Sequence, residues 1–310
     1  MVISKLSLLI NKQPFILPFI NNQTPINIMK KQFFMALALL ASAGISAFAG
    51  SLTAGAPVKV AKTATGLMAP VWSPDGKQIA AAGPNYTGIY VFDADGTNAR
   101  QLTGAEGAGY KMAWSADGKE ILGRTNVREG VRVLHETKAW NVATGESRTI
   151  EARKRTNANP RTSNTGVTLL SRMTEDAAGV TSSTPALAEY AGRTVINPAL
   201  SPDGSMIAFQ IVAKGMFVIN ADGTNLRSLG TGSNPAWMPD NNTLVYTIVQ
   251  DNGNVITGST VMTVTLSDNK KEVLINDSKL IPLRPAINAA GTAMVFENGA
   301  DASIYSVTLK

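Results

Sequence analysis

The chain of 310 residues has no cysteine and a single histidine, His135. The first absence excludes disulfides, thiolate metal sites, cysteine nucleophiles and a lipidated N-terminal cysteine. The second excludes a histidine-cluster metal site and leaves imidazole acid–base chemistry one candidate residue. A long hydrophobic run is missing too. The apolar stretch Phe33 to Leu40 is soon interrupted by Ser42, Gly44 and Ser46, whereas a spanning helix needs about 20 apolar residues. The charge excess is local. Residues 1–49 hold four of the 28 Lys+Arg and none of the 22 Asp+Glu, so residues 50–310 carry 24 basic against 22 acidic residues, a net of +2. No basic block remains there, which removes the electrostatic warrant for nucleic-acid binding.

What is present begins with a leader pattern. Met29-Lys30-Lys31, the apolar run and the small residues ending Ala47-Phe48-Ala49 have the three-part layout of a secretory signal with an A-x-A cleavage site. The expectation is a signal at 29–49, cleavage after Ala49, and a mature chain 50–310 in the periplasm or outside the cell, with no transmembrane segment left. Residues 1–28 contain no acidic residue and no periodic pattern. They read as a start-site extension rather than a domain.

The mature chain repeats. Pro70-Val-Trp-Ser-Pro-Asp-Gly-Lys-Gln-Ile79 recurs as Met112-Ala-Trp-Ser-Ala-Asp-Gly-Lys-Glu-Ile121 and Pro198-Ala-Leu-Ser-Pro-Asp-Gly-Ser-Met-Ile207. Looser copies start at Pro235 and Pro285, and a degraded one spans Pro160 to Leu169. The tryptophan-equivalent positions are 72, 114, 162, 200, 237 and 287, separated by 42, 48, 38, 37 and 50 residues. Four-stranded propeller blades repeat at about 40–50 residues, so six blades account for 50–310.

Each element of the repeat has a local cause. Pro-Asp-Gly is a turn, because Pro presets φ, Asp bonds the nearby backbone and Gly accepts φ > 0. Third strands are expected at Ile89–Asp93, Ala139–Val142 and Met216–Asn220. Fourth strands follow Asp-Gly hairpin turns at 94–98 and 221–225. Val58–Ala61 precedes the first blade, while the last blade lacks a fourth strand. The expectation is an all-β, six-bladed β-propeller of four-stranded antiparallel blades, closed by this N-terminal strand. The third and fourth strands of the third blade, within 174–196, have no clear sequence signal.

The core Pro-x-Trp-Ser-Pro-Asp-Gly-Lys-x-Ile-Ala, followed by Ile89-Tyr-Val-Phe-Asp-Ala-Asp-Gly-Thr-Asn98 and Arg100-Gln-Leu-Thr103, resembles the TolB-like six-bladed propeller repeat. The resemblance covers about 58–310 and implies the fold. Propellers of this type serve as subunits of envelope complexes, gating domains of peptidases, sugar lyases and binding modules, so it does not imply one activity.

The repeated Asp75, Asp117, Asp203 and Asp240 read as turn residues, and Trp72, Trp114 and Trp237 as packing between blades. The Asp93–Asn98 and Asn220–Asn225 turns lack the ligand count and terminal Glu of a calcium loop. No metal or other cofactor is implied, and no catalytic residue is assigned. The residue before each proline-equivalent position, which is Met112 in the second copy, occupies one ring position: Ala69, Lys111, Asn159, Asn197, Asn234 and Arg284. Five of these six are polar. With Tyr110, they form the candidate binding site at a channel mouth. Segments 104–111, 123–137 and 250–260 read as long recognition loops. The reading is a monomeric, non-catalytic binding or scaffold protein of the cell envelope, with an envelope protein or a glycan or peptide as partner. The alternatives are a carbohydrate lyase using Lys111 and Arg284, and a TolB-type complex subunit.

Overall fold

The computed structural model describes residues 51–155 and 185–310. The expected leader and extension, the degraded repeat copy and Asn159 lie outside the described residues. Five four-stranded antiparallel sheets are present among them. Sheet I holds β2 (Met68–Trp72), β3 (Gln78–Ala82), β4 (Ile89–Asp93) and β5 (Arg100–Thr103). Sheet II holds β6 (Ala113–Trp114), β7 (Glu120–Glu129), β8 (Arg132–Asn141) and β9 (Ser147–Arg155). Sheet III holds β10 (Val195–Leu200), β11 (Met206–Ile211), β12 (Gly215–Asn220) and β13 (Arg227–Gly230). Sheet IV holds β14 (Ser233–Trp237), β15 (Thr243–Asp251), β16 (Ile256–Thr265) and β17 (Lys271–Ile275). Sheet V holds β18 (Pro282–Ile287), β19 (Ala293–Asn298) and β20 (Ser303–Thr308), with β1 (Val58–Ala61) antiparallel beside β20. These sheets form an all-β propeller.

The middle strands alternate, and both of their faces are buried. In β11, Ile207, Phe209 and Ile211 pack on one side of sheet III, while Ala208 joins Trp237, Leu244 and Tyr246 of sheet IV. In β19, Met294 and Phe296 meet Val245 and Val261 of sheet IV, and Val295 meets Ile79 and Phe92 of sheet I. Sheets III, IV, V, I and II therefore follow one another face to face.

Tryptophan adds a directional bond to this packing. Trp72 Nε1 donates to the Ala286 carbonyl at 3.1 Å, Trp114 Nε1 to Val71 at 3.4 Å, and Trp237 Nε1 to Ala199 at 2.9 Å. Each bond runs from the third residue after a ring position to the second residue after the ring position of the neighbouring sheet. The innermost strands of sheets V, I and II are thereby held in register with one another, and those of sheets III and IV likewise.

The turns are built as their chemistry dictates. Ser73 Oγ donates to Asp75 at 2.7 Å, Asp75 accepts from Lys77 N at 3.1 Å, and Ser73 Oγ accepts from Gln78 N at 2.9 Å. The same triplet recurs at Ser115/Asp117 and at Ser201/Asp203. In the Asp93–Asn98 turn, Asp95 accepts from Thr97 N and Oγ1, and Asp93 accepts from Asn98. A Cβ at Gly96, where φ is 88°, would run into the Val60 carbonyl of β1.

Two expected loops are not loops. Residues 123–137 and 250–260 belong to long hairpins, β7–β8 and β15–β16. Their polar residues pair across strands, as in Asn126 with His135, so a solvated hairpin carries few hydrophobic residues to announce it. Within 174–196, the described part is a 3-10 segment, Pro185–Tyr190, whose Leu187 packs into the core of sheet III, followed by the start of β10. No helix among the described residues is long and apolar enough to cross a membrane.

Trp237→Ala should cost about 3–5 kcal/mol of unfolding free energy, read by chemical denaturation. Trp237→Leu, which matches Leu200 at the equivalent site, should cost clearly less. Hydrogen bonds from Ser73 and Ser115 hold the Asp75 and Asp117 carboxyls below their ordinary value. A lowered folded pKa contributes stability that is present above the unfolded value and lost as pH falls through the folded one. The melting temperature should therefore drop below about pH 4, and less steeply in the Asp75→Asn, Asp117→Asn double variant.

Candidate functional site

Antiparallel order gathers two kinds of connection at one end of the propeller: the linkers between sheets and the second-to-third-strand hairpins. The tight Pro-Asp-Gly turns lie at the other end. The ring positions sit at the first end, near the start of each innermost strand. All five described ones, Ala69, Lys111, Asn197, Asn234 and Arg284, are left-handed, with φ between 50° and 53°. Four of them fall at register shifts in the innermost strand, between Met68 and Val71, Ile196 and Ala199, Ser233 and Ala236, and Leu283 and Ala286. Asn tolerates this conformation better than most residues, but Ala, Lys and Arg are strained in it by about 1–2 kcal/mol each. Backbone strain of this kind persists only where the surrounding structure over-determines it, and it clusters at functional sites.

The bulge brings a second tier of residues into play. Ala82, Arg124, Gln210, Thr247 and Glu297 each follow their ring position by thirteen residues, on the second strand of the sheet. Asn197 Nδ2 donates to Gln210 at 3.2 Å. Asn234 Nδ2 reaches Ser233 Oγ at 3.4 Å, and Ser233 bonds Thr247 at 3.1 Å. Glu297 is buried; it accepts from Arg284 and, at 2.7 Å, from the Ala69 backbone N–H of the adjoining sheet. Burial pushes its carboxyl up, and the Arg284 charge and the Ala69 N–H only partly pull it back. This second tier is absent from the sequence-predicted site, because its members share no residue type. Its one signal in the sequence is the constant spacing from the ring.

Sheet II is the cationic sector. Lys111 Nζ stands 5.3 Å from the centre of the Tyr110 ring and the Arg124 guanidinium 5.2 Å from it. Tyr86 meets the same ring edge-on at 5.1 Å. Lys111 is exposed as a whole, yet the protein around its amine and the Arg124 charge push it below the usual lysine range. Tyr110 thus serves as a platform for cations. The ring residues of the other sheets are tied mainly within their own sheets or to an immediate neighbour, rather than drawn into one cluster.

No family model and no curated protein matches the chain. Among solved structures, it is similar to TolB from Acinetobacter baumannii (TM-score 0.36, 13% identity, covering 78% of this chain and 54% of that one). It is similar to the tricorn protease (TM-score 0.45, 12% identity, 77% and 25%) and to the β-propeller domain of Cps50 (Swd1) from Myceliophteria thermophila (TM-score 0.42, 8% identity, 83% and 99%). The chain spans about half the length of the TolB structure and a quarter of the tricorn protease. The class of the protein is read from its own sheets: a β-propeller of four-stranded blades with a two-tier polar ring at one end.

Glu297→Ala should lower stability by about 1–3 kcal/mol, because it removes the acceptor of Arg284 and of the Ala69 N–H. Ala69→Gly should raise stability by up to about 1 kcal/mol by relieving the left-handed strain. Denaturant midpoints check both.

Proposed function

We propose that the protein is an exported, non-catalytic binding propeller of the bacterial-type cell envelope. It recognises a protein or a glycan at the end that carries the two-tier ring. In this reading it is a six-bladed, TolB-like propeller. The count of six rests on the sequence repeat, in which Pro160–Leu169 is the degraded copy in register, and β1 closes the ring by completing sheet V. In sequence, Asn159 supplies the sixth ring position. Residues 29–49 are the signal, translation starts at Met29, and the mature monomer 50–310 resides in the periplasm or outside the cell.

One observation carries the recognition surface. Of the eight exposed large hydrophobic residues described, six lie at the ring end: Val131, Val133, Ile196, Val212, Val255 and Ile256. Their concentration on one end, around a polar mouth, supports an interaction site there rather than the scatter normal for a surface. The hairpins β7–β8 and β15–β16 hold four of them near their tips. A lyase would need a general base among converging titratable groups. The ring carboxylate, Glu297, is instead held by Arg284 and a backbone N–H, which favours binding over catalysis.

Mature protein is to be offered to a glycan array and to envelope extracts, beside two variants. One is Lys111→Asn with Arg284→Asn, which keeps side chains suited to a left-handed backbone. The other is Val131→Ser with Val255→Ser. A glycan or protein held by the wild type should be lost in at least one variant that melts normally; capture unchanged in both would overturn the mouth reading. N-terminal sequencing of the exported protein should begin at Gly50, and recovery only of the uncleaved chain would overturn export by this signal.

A further inference from the structure

We propose that the tip of the β15–β16 hairpin is a self-modification site, where the Gly253 nitrogen attacks the Asn252 side chain and converts the asparagine to aspartate and isoaspartate. The tip lies at the ring end, but the chemistry does not depend on the reading of that end as the recognition face.

The sequence holds two Asn-Gly pairs, Asn252-Gly253 and Asn298-Gly299. A glycine has no Cβ to hinder attack by its own nitrogen, and its backbone is free to turn toward the preceding side chain. Both pairs are therefore candidates for closure of a succinimide ring. The fold treats them in opposite ways.

At the first pair, the parts of an acyl transfer are gathered. Residues 252–255 are exposed, and the tip is closed by the Asn252 N–H, donated to the Val255 carbonyl at 3.2 Å. The Gly253 N–H is donated to Asp251 Oδ1 at 2.9 Å, which places a carboxylate as base on the attacking nitrogen. Asn252 Oδ1 accepts from the Asn254 and Val255 N–H groups at 3.1 and 3.0 Å. These bonds fold the side chain along the backbone past Gly253 and polarise the carbonyl that is attacked. Negative charge gathers on this oxygen in the transition state, where two backbone donors already face it. Gly253 is left-handed, with φ of 88°, and apart from its chain neighbours no atom lies within 4 Å of where a Cβ would stand. The ring and an incoming water have room.

The steps balance without a redox partner. The Gly253 nitrogen bonds to Asn252 Cγ, and its proton passes to Asp251. The Cγ–Nδ2 bond breaks, and that proton leaves with Nδ2 as ammonia. A water molecule then opens the succinimide at either carbonyl. One opening gives aspartate; the other gives isoaspartate, whose main chain runs through the former side chain.

The second pair is disarmed. Asn298 is buried, and the Gly299 N–H is donated to the Ile281 carbonyl at 2.8 Å, which is no base. Asn298 Oδ1 accepts from the Ile281 N–H at 2.7 Å, and Nδ2, the leaving group, donates to Asp301 at 2.8 Å. Nucleophile and leaving group are both tied to other residues, so conversion there requires local unfolding.

Conversion of Asn252 adds a negative charge beside Asp251, next to the exposed Val255 and Ile256. Isoaspartate also lengthens the main chain by a methylene where Asp251 pairs with Ile256. The change is placed to weaken an apolar contact made by this hairpin as the protein ages.

The full chain is to be incubated at neutral pH and sampled over time by peptide mapping with mass spectrometry, with isoaspartate labelled by an isoaspartyl methyltransferase. Asn252 should convert and Asn298 should not. Compared with the free peptide 250–256, the folded chain should convert about tenfold faster, and Asp251→Ala should remove most of that gain. Conversion no faster than in the peptide, a rate unchanged in a folded Asp251→Ala variant, or equal conversion of Asn298 would overturn the proposal. The outcomes separate from those of the capture experiment. Partner capture without conversion would sink the modification site alone, and conversion without capture would sink the mouth reading alone.

Discussion

The indole N–H of a repeat tryptophan, donated to a carbonyl on the neighbouring sheet, is the interaction on which the rest of the arrangement depends. Face-to-face sheets held only by apolar packing can slide, because dispersion and hydrophobic burial have little direction. A bond from Trp72 to Ala286, repeated from Trp114 to Val71 and from Trp237 to Ala199, removes that freedom. It aligns the innermost strands of sheets V, I and II with one another and those of sheets III and IV, and so sets their ring positions level within each group. The Trp72 bond and the Glu297 contact to Ala69 N both join sheet V to sheet I, which are far apart along the chain.

With the register set, the two ends of the propeller take different roles. At one end, the Ser–Asp–Gly turns hold their carboxylates in local hydrogen bonds, and those acids are structural. At the other, left-handed residues, a buried carboxylate, paired cations and the exposed hairpin tips come together. The contrast is one of energy as well as position. Turn residues there sit in conformations that suit them, while Ala69, Lys111 and Arg284 are held against their preference. Strain and exposed apolar surface on the same end are the two features on which the proposed recognition face rests.

The turns were fully legible in the sequence, since each is made from residues two to five positions apart. The spacing of the repeat carried the sheets, and the pre-proline position carried the ring. Three features were not legible. The β7–β8 and β15–β16 hairpins resembled loops because polar cross-strand pairs such as Asn126 with His135 leave no hydrophobic alternation to read. The second tier was hidden although its spacing is constant, because its members, Ala82, Arg124, Gln210, Thr247 and Glu297, differ in chemistry and share only a place. The cation platform was seen as a tyrosine beside a lysine; Arg124 reaches it only through the pairing of β7 with the innermost strand.

The sequence by itself determined the turn chemistry, the four-stranded repeat and the place of each ring residue within its own blade, because all of these depend on short-range bonds copied from blade to blade. Only the tertiary structure decided which side chains meet: Glu297 with Arg284 and the Ala69 N–H, Arg124 with Tyr110 and Lys111, and each tryptophan with its carbonyl. Those contacts join residues on different strands or different sheets. Their partners follow from bulges and from the docking of whole sheets, and neither is written in the identity of any one residue.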